Sequence, residues 1–214
     1  MTAAVSEHRA GRMSGTEFRA FQARRPDHER WELLGGVAMM VTPPTIAHNQ
    51  IASNLERLLR RSLAGTPGRG SRPRSLLATQ RPGLELESGG YKPEPDVGVI
   101  DAEYRAGQRF VDKAYLLAEI VSETDEIIVP GTSRKWIDVK RDIYRSHEHC
   151  ECVLVVAQDR MQVEVDLRTE TGWKSSTLTG DAELVVAAPG LHCFVSELYE
   201  GTPLEPRVVP QNRP

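Results

Sequence analysis

The sequence has few cysteines and no long hydrophobic run, and both features narrow the class of protein. Three cysteines in 214 residues are an odd number and do not make a disulfide framework. No apolar stretch approaches the roughly 20 residues of a membrane helix. The N-terminal segment MTAAVSEHRAGRM lacks the apolar core of a secretory signal. We therefore expect a cytoplasmic protein that does not associate with membranes.

The charge is nearly balanced overall but unevenly distributed. The net charge of −3, from 27 basic and 30 acidic residues, argues against a protein that coats nucleic acid non-specifically. One segment contains only basic charges: Arg57, Arg60, Arg61, Arg69, Arg72, Arg74 and Arg81 occur with no acid between them. Such a segment can meet phosphate groups, although a solvated helix end whose arginines pair with distant acids explains the pattern as well.

The length suits one domain with a sizeable core. We expect the domain to span residues 14–201, with a disordered tail at 1–13 and a frayed, proline-rich tail at 202–214. No internal repeat is visible.

The pattern of apolar residues predicts a mixed α/β fold. Tyr115 to Ser122 and Cys152 to Ala157 are apolar runs typical of strands buried on both faces. A helix between them, from Thr132 or Ser133 to about Ser146, makes a β-α-β unit and favours parallel pairing of the two strands. The Gly35-Gly36 pair between two apolar runs predicts a tight N-terminal hairpin. The apolar spacing of residues 45–64 predicts a long amphipathic helix.

Two acids are candidates for a metal site. Glu119 lies inside an apolar run, where an ionised carboxylate costs several kcal/mol unless a cation or a proton is close. Asp96 begins another candidate strand. If the two strands are neighbours, both carboxylates converge on one point, where a hard divalent metal would be the natural occupant. The alternative is that Glu119 pairs with an arginine or ends its strand facing water.

Lys140 is the candidate that completes this site. It lies on the helix after the Glu119 strand and shares a face with Trp136 and Tyr144. Two acids and a lysine supply what metal-assisted phosphodiester hydrolysis requires: ligands for magnesium, an activated water and a cation against the charge on phosphorus. An ordinary amphipathic-helix lysine, with its stem on the core, is the alternative.

Four motifs follow one another along the chain: WELLGGVAMMVTPPTIAHNQIASNLERLL from Trp31, PDV from Pro95, AEIVS from Ala118 and K-x-x-x-Y from Lys140. In this order they resemble the Uma-two family of the PD-(D/E)xK, restriction-endonuclease-like superfamily. The resemblance runs from about Thr16 to Tyr199. It implies a restriction-endonuclease-like mixed β-sheet flanked by helices, and an endonuclease that hydrolyses phosphodiester bonds in DNA with Mg²⁺ or Mn²⁺. Cutting both strands would favour a homodimer.

The resemblance also implies the main roles in the site. Asp96 and Glu119 become metal ligands, with the backbone carbonyl of Ile120 as a third. The superfamily's usual lysine position is Val121 here, so the lysine role passes to Lys140.

The resemblance implies two auxiliary residues as well. Glu32 would bind a second ion or orient the lysine, and His48, at the start of the long helix, would reach phosphate. An exposed acid beside a hairpin and a hydrogen-bonding residue at a helix start are the simpler explanations. Trp136 departs from the family, whose members often have an acid at this position.

Three other interpretations stay open at this stage. The chain could be a catalytically inactive nucleic-acid-binding or mobile-element accessory protein on the same fold, or a module that docks on an acidic partner through its arginines. The cluster of His147, His149, Cys150 and Cys152 could suggest zinc. No second ligand pair closes a tetrahedron, so a strand with buried thiols is favoured.

Overall fold

The computed structural model describes residues 12–26, 28–65, 75–85, 90–188 and 190–205. Residues 1–11 and 206–214 of the predicted tails lie outside these ranges. Where the structure describes the inner ends of these tails, the Met13 amide donates to the Gly36 carbonyl (2.8 Å) and the Thr202 amide to the Tyr199 carbonyl (3.1 Å).

The described chain forms three α-helices, twelve strands and a short 3-10 helix at Val195–Tyr199. The helices are α1 (Gly15–Gln22), α2 (Ile46–Gly65) and α3 (Trp136–Ser146). The strands are β1 (Trp31–Leu34), β2 (Val37–Met40), β3 (Leu76–Gln80), β4 (Gly83–Leu84), β5 (Val97–Asp101), β6 (Phe110–Val111), β7 (Ala114–Ile120), β8 (Cys152–Val156), β9 (Gln162–Thr169), β10 (Gly172–Thr179), β11 (Glu183–Val186) and β12 (Leu191–Phe194).

A six-stranded mixed sheet with the order β10-β9-β8-β7-β5-β3 forms the centre of the molecule. The β7–β8 pair is parallel and the other four pairs are antiparallel. Every residue of β7 and β8 is buried, as their apolar runs predicted. The parallel pairing confirms the β-α-β prediction, because α3 supplies the crossover between these two strands.

The two faces of the sheet carry different helices, and the alternation along β7 decides which side chains meet which helix. Leu116, Ala118 and Ile120 belong to the core beneath α2, together with the β11–β12 hairpin and the 3-10 helix. Leu117 belongs to the core beneath α3. Since successive strand residues point to opposite faces, Glu119 projects toward α3.

The N-terminal hairpin is confirmed. Gly35 and Gly36 both have positive φ (56° and 86°), and β1 pairs with β2 in the register Glu32 to Met39. Main-chain hydrogen bonds between Leu33 and Lys92 tie β1 to the segment that leads into β5. The hairpin is thereby fixed beside the start of β5.

Helix α3 begins later than predicted. Its first residue is Trp136, after the cap residue Lys135, which makes no side-chain capping hydrogen bond. The predicted cap Thr132 instead donates its hydroxyl to the Val129 carbonyl (2.9 Å), within a turn.

In the part of the chain that the structure describes, no helix has the length and apolar character needed to span a membrane.

Candidate active site

Asp96 and Glu119 lie at adjacent positions of paired strands. Val97 faces Ala118 in the antiparallel β5–β7 ladder, and the Asp96 amide donates to the Ala118 carbonyl (3.0 Å). The Asp96 side chain also accepts from the Ile120 amide at Oδ2 (2.9 Å). Asp96 is 5% exposed and Glu119 is 2% exposed. The two strands are neighbours, which is the condition on which the predicted site depended.

The ammonium group of Lys140 touches three carboxylates. Its Nζ lies 3.1 Å from Glu119 Oε2, 3.2 Å from Glu32 Oε1 and 2.9 Å from Asp125 Oδ1. Burial alone would lower the pKa of Lys140, but the charges of Asp125, Glu119 and Glu32 outweigh it and raise that pKa well above its usual value. Lys140 is therefore a permanent cation at the centre of the acids.

One face of α3 fixes two of these acids. Trp136, Lys140 and Tyr144 recur at intervals of four residues and all three are buried. The Trp136 indole donates from Nε1 to Glu32 Oε2 (2.7 Å), and the Tyr144 hydroxyl donates to Glu119 Oε1. Glu119 thus accepts from α3 at both of its oxygens, whereas Glu32 accepts from α3 at Oε2 and from the Glu94 amide at Oε1 (3.0 Å).

His48 holds Asp96 from the opposite side. It lies at the first turn of α2, where its own amide donates to Thr45 Oγ1 (3.1 Å), and its Nε2 is 3.1 Å from Asp96 Oδ2. Burial would raise the pKa of Asp96, but the hydrogen bond and charge of His48, the charge of Lys140 and the Ile120 amide together lower it. Asp96 is held as a carboxylate.

Glu119 responds differently to the same pocket. Burial raises its pKa well above the usual range, and the Lys140 charge offsets this effect only in part, since Asp96, Asp125 and Glu32 add like charge. The neighbouring acids and burial also raise the pKa of Tyr144, so its hydroxyl stays a donor.

Sequence reasoning missed two residues of the site, Asp125 and Arg30. Asp125 accepts at Oδ2 from the Ser122 amide (2.8 Å) and hydroxyl (2.7 Å), while its buried Oδ1 has no hydrogen-bond partner and only the ionic contact with Lys140. The sequence feature that could have indicated Asp125 is the S-x-x-D spacing directly after the Glu119 strand. Arg30 Nη2 lies 3.9 Å from Asp96 Oδ1, and its position before β1 gave no signal.

The acids of the site line a cavity of about 210 Å³ together with Lys140, His48 and Arg30. Its carboxylate oxygens are ligands that suit a hard cation. Carboxylate oxygens outnumber the cationic groups, and Asp125 Oδ1 lacks a donor. No three His, Cys, Asp or Glu side chains of the described residues are grouped so that they alone could hold an ion. Magnesium does not need three, because it retains several waters and takes one or two carboxylates. The Ile120 carbonyl as a ligand stays a prediction.

Three described arginines of the basic segment, those on α2, pair with acids as the simpler explanation predicts, whereas Arg81 at the end of β3 lies 3.9 Å from its nearest acid, Glu94. Arg57 pairs with Glu200 (2.6 Å), Arg60 with Glu56 (2.7 Å) and Arg61 with Glu197 (3.4 Å). Arg69, Arg72 and Arg74 lie outside the described residues.

The cysteines near α3 are buried thiols. Cys150 and Cys152 are free and buried, and burial raises the pKa of Cys150 to about 12. The Cys150 thiol donates to the Cys152 carbonyl (3.3 Å). Both thiols therefore behave as core groups of the sheet.

Comparison with known proteins places the chain in a family. The Uma2 (Uma-two) family, described as "Putative restriction endonuclease", matches residues 16–196. The chain belongs to this family. Among solved structures, a "putative nuclease belonging to DUF820" from Anabaena variabilis is 16% identical, with a TM-score of 0.60 over 84% of this chain and 94% of that one. This Uma2 chain therefore has the restriction-endonuclease-like fold. A search of curated proteins found no match.

Proposed function

We propose that this Uma2 protein is a metal-dependent endonuclease that hydrolyses phosphodiester bonds in DNA. The observation that carries the proposal is the contact of Lys140 Nζ with Glu119 (3.1 Å) in one cavity with Asp96. The family description and the description of the Anabaena variabilis protein as a nuclease support it.

Asp96 and Glu119, with the Ile120 carbonyl, would hold Mg²⁺ or Mn²⁺. A bound metal of this kind polarises the phosphate and lowers the pKa of a bound water. Lys140 offers its ammonium to the negative charge that builds on the phosphate oxygens or to the attacking water. His48 keeps Asp96 aimed into the cavity.

Glu32 acts through Lys140 and is a positioning residue. Its two oxygens are held by the Lys140 ammonium (3.2 Å) and the Trp136 indole (2.7 Å), so it fixes where the ammonium sits. Three buried free thiols support a reducing cytoplasm. Two copies of the site, as in a homodimer, would cut both strands.

The test is cleavage of supercoiled plasmid by the purified protein with Mg²⁺ or Mn²⁺, against an EDTA control. Asp96→Asn and Glu119→Gln each remove one ligand charge, and each should reduce the cleavage rate about 100-fold or more. Glu183→Gln, at an exposed acid on β11, is the matched control and should cut normally. Absence of metal-dependent cutting by the wild type, or normal cutting by both ligand variants, rejects the proposal.

A catalytically inactive nucleic-acid-binding protein is the second candidate. It is favoured by one observation: Lys140 already supplies a cation to three carboxylates at 2.9–3.2 Å. This candidate predicts DNA binding that weakens with salt and no nicking in any divalent metal.

A further inference from the structure

A wide groove lies beside the acidic cavity and carries mainly positive charge. Its volume is about 1050 Å³, and it runs between the end of α1, the end of β3 and the 104–111 segment. Among the described residues that line it, arginines outnumber acids: they are Arg19, Arg25, Arg60, Arg81 and Arg109 against Glu29 and Glu94. This local excess contrasts with the overall charge of −3.

The groove and the acidic cavity meet at a row of alternating charges. Arg81 Nη2 lies 3.9 Å from Glu94 Oε2, and Arg30 Nε lies 4.0 Å from the same oxygen. Arg30 Nη2 is in turn 3.9 Å from Asp96 Oδ1. A chain of phosphates lying in the groove would therefore reach the acidic cavity past Arg30.

The Arg30 guanidinium is placed for an acceptor that the described protein atoms do not provide. Its side chain is 12% exposed, yet its two carboxylate neighbours are at 3.9 and 4.0 Å, beyond hydrogen-bond distance. Its buried Nε has no hydrogen-bond partner. Buried guanidinium donors are normally satisfied, and the planar fork of arginine matches two phosphate oxygens.

Aromatic rings stack against two other arginines of the groove. The Arg19 guanidinium lies 3.5 Å from the centre of the Phe110 ring, and that of Arg25 lies 4.3 Å from the centre of the Phe21 ring. Tyr104 lines the groove with 64% of its surface exposed. An exposed ring beside cationic groups is the combination that single-stranded nucleic acid uses, stacking a base while arginines meet its phosphates.

We propose that this groove binds one strand of nucleic acid, with Arg30 and Arg81 on the phosphate next to the acidic cavity and Tyr104 under a base. The proposal rests on the proposed nuclease function, because the strand in the groove is the one that enters the cavity. An acidic protein segment would meet the same charges but would make no use of the exposed ring.

The experiment measures binding, by fluorescence anisotropy, of a labelled single-stranded oligonucleotide in EDTA, where cleavage cannot occur. Arg81→Gln should weaken binding about fivefold and reduce the slope of log K against log salt by about 0.7, the value for one lost phosphate contact on a single strand. Tyr104→Ala should weaken binding about fivefold or more, with no change of slope. Arg30→Gln should resemble Arg81→Gln, provided that its thermal unfolding matches the wild type.

Lys174→Gln is the matched control for lost charge. Lys174 is exposed on β10, at the opposite edge of the sheet from β3, and its removal should leave binding unchanged. Wild-type affinity in both Arg81→Gln and Tyr104→Ala would overturn the proposal. The proposal would also be overturned if these two variants lost affinity only for duplex DNA and kept it for the single strand. Displacement of the oligonucleotide by polyglutamate of equal charge would overturn it too.

The outcomes separate this proposal from the nuclease function. If the wild type does not cut but Arg81→Gln and Tyr104→Ala weaken binding, the groove assignment holds and the catalytic one fails. If the wild type cuts and both variants keep its KM and affinity, the catalytic assignment holds and the strand follows another path.

Discussion

A single lysine organises the candidate site. Lys140 lies within 3.2 Å of three carboxylates that come from β1, β7 and the loop after β7. Trp136 of α3 donates from its indole to one of these carboxylates, that of Glu32. An acid at position 136 would add another negative charge to a pocket that already holds an excess of them, so the indole is the better neighbour here.

The role of this indole is testable by removing its N–H alone. Trp136→Phe keeps an aromatic ring in the core but leaves Glu32 Oε2 without its donor, so we expect the free energy of unfolding to fall by about 2–3 kcal/mol. The cleavage rate should fall about tenfold, since Glu32 positions Lys140. Urea unfolding and the plasmid assay measure the two effects.

Trp173→Phe is the matched control. Trp173 is partly buried on β10, at the opposite edge of the sheet from β3, and it lines neither the acidic cavity nor the groove. We expect the Trp173→Phe protein to cut at the wild-type rate. Equal activity of the two variants would contradict the role assigned to Trp136.

At the scale of elements, the sequence predicted the strands and turns that follow from the local pattern of apolar residues and glycines. The apolar runs gave β7, β8 and their parallel pairing, and Gly35-Gly36 gave the hairpin. Asp125 had a local signal of another kind, the S-x-x-D spacing with Ser122. Arg30 had none, because it lies in an irregular segment whose conformation depends on distant partners. The late start of α3 has the same cause: the Trp136 amide donates a hydrogen bond to the Ile127 carbonyl (2.8 Å), a contact with no local sequence signal.

The hairpin turn is the element that carries Glu32, and Gly36 is its critical residue. Gly36 has φ of +86°, and a Cβ there would lie 2.5 Å from the Cβ of Arg12. We expect Gly36→Ala to lower the free energy of unfolding by about 3 kcal/mol, from backbone strain and crowding together. Thermal or urea unfolding measures the loss.

Gly107→Ala separates the strain from the crowding. Gly107 has φ of +78°, but no atom lies within 4 Å of an added Cβ. Its replacement should therefore cost only about 1 kcal/mol. If Gly107→Ala is as destabilising as Gly36→Ala, contact with Arg12 is not what makes the hairpin turn sensitive.

At the scale of the whole molecule, one buried acid connects α3 to the two strands at one edge of the sheet, β9 and β10. Asp166 on β9 accepts from Arg141 of α3 (2.6 Å) and from Ser175 of β10 (2.6 Å), and lies 2.9 Å from Arg145. Burial would raise the pKa of Asp166, but the hydrogen bonds from Arg141 and Ser175 and the arginine charges together lower it. The folded state therefore holds this carboxylate in its charged form.

This linkage predicts how stability depends on pH. A lowered folded-state pKa means that the contribution is fully present above the unfolded value, about 3.9, and is lost as pH falls through the folded value. We expect Asp166→Asn to lower the free energy of unfolding by about 2 kcal/mol at pH 7 and by much less near pH 2. Urea unfolding at the two pH values measures this, and equal losses at both would contradict it.

The position of Lys140 among three carboxylates has a consequence for how the chain matures. Many small metal-binding domains fold only when their ion is bound. Here the polypeptide brings its own positive charge to the acids, so the newly made protein can complete its native state without a bound ion. In the proposed metal-dependent enzyme, loading with metal would be a later, reversible event, separate from folding.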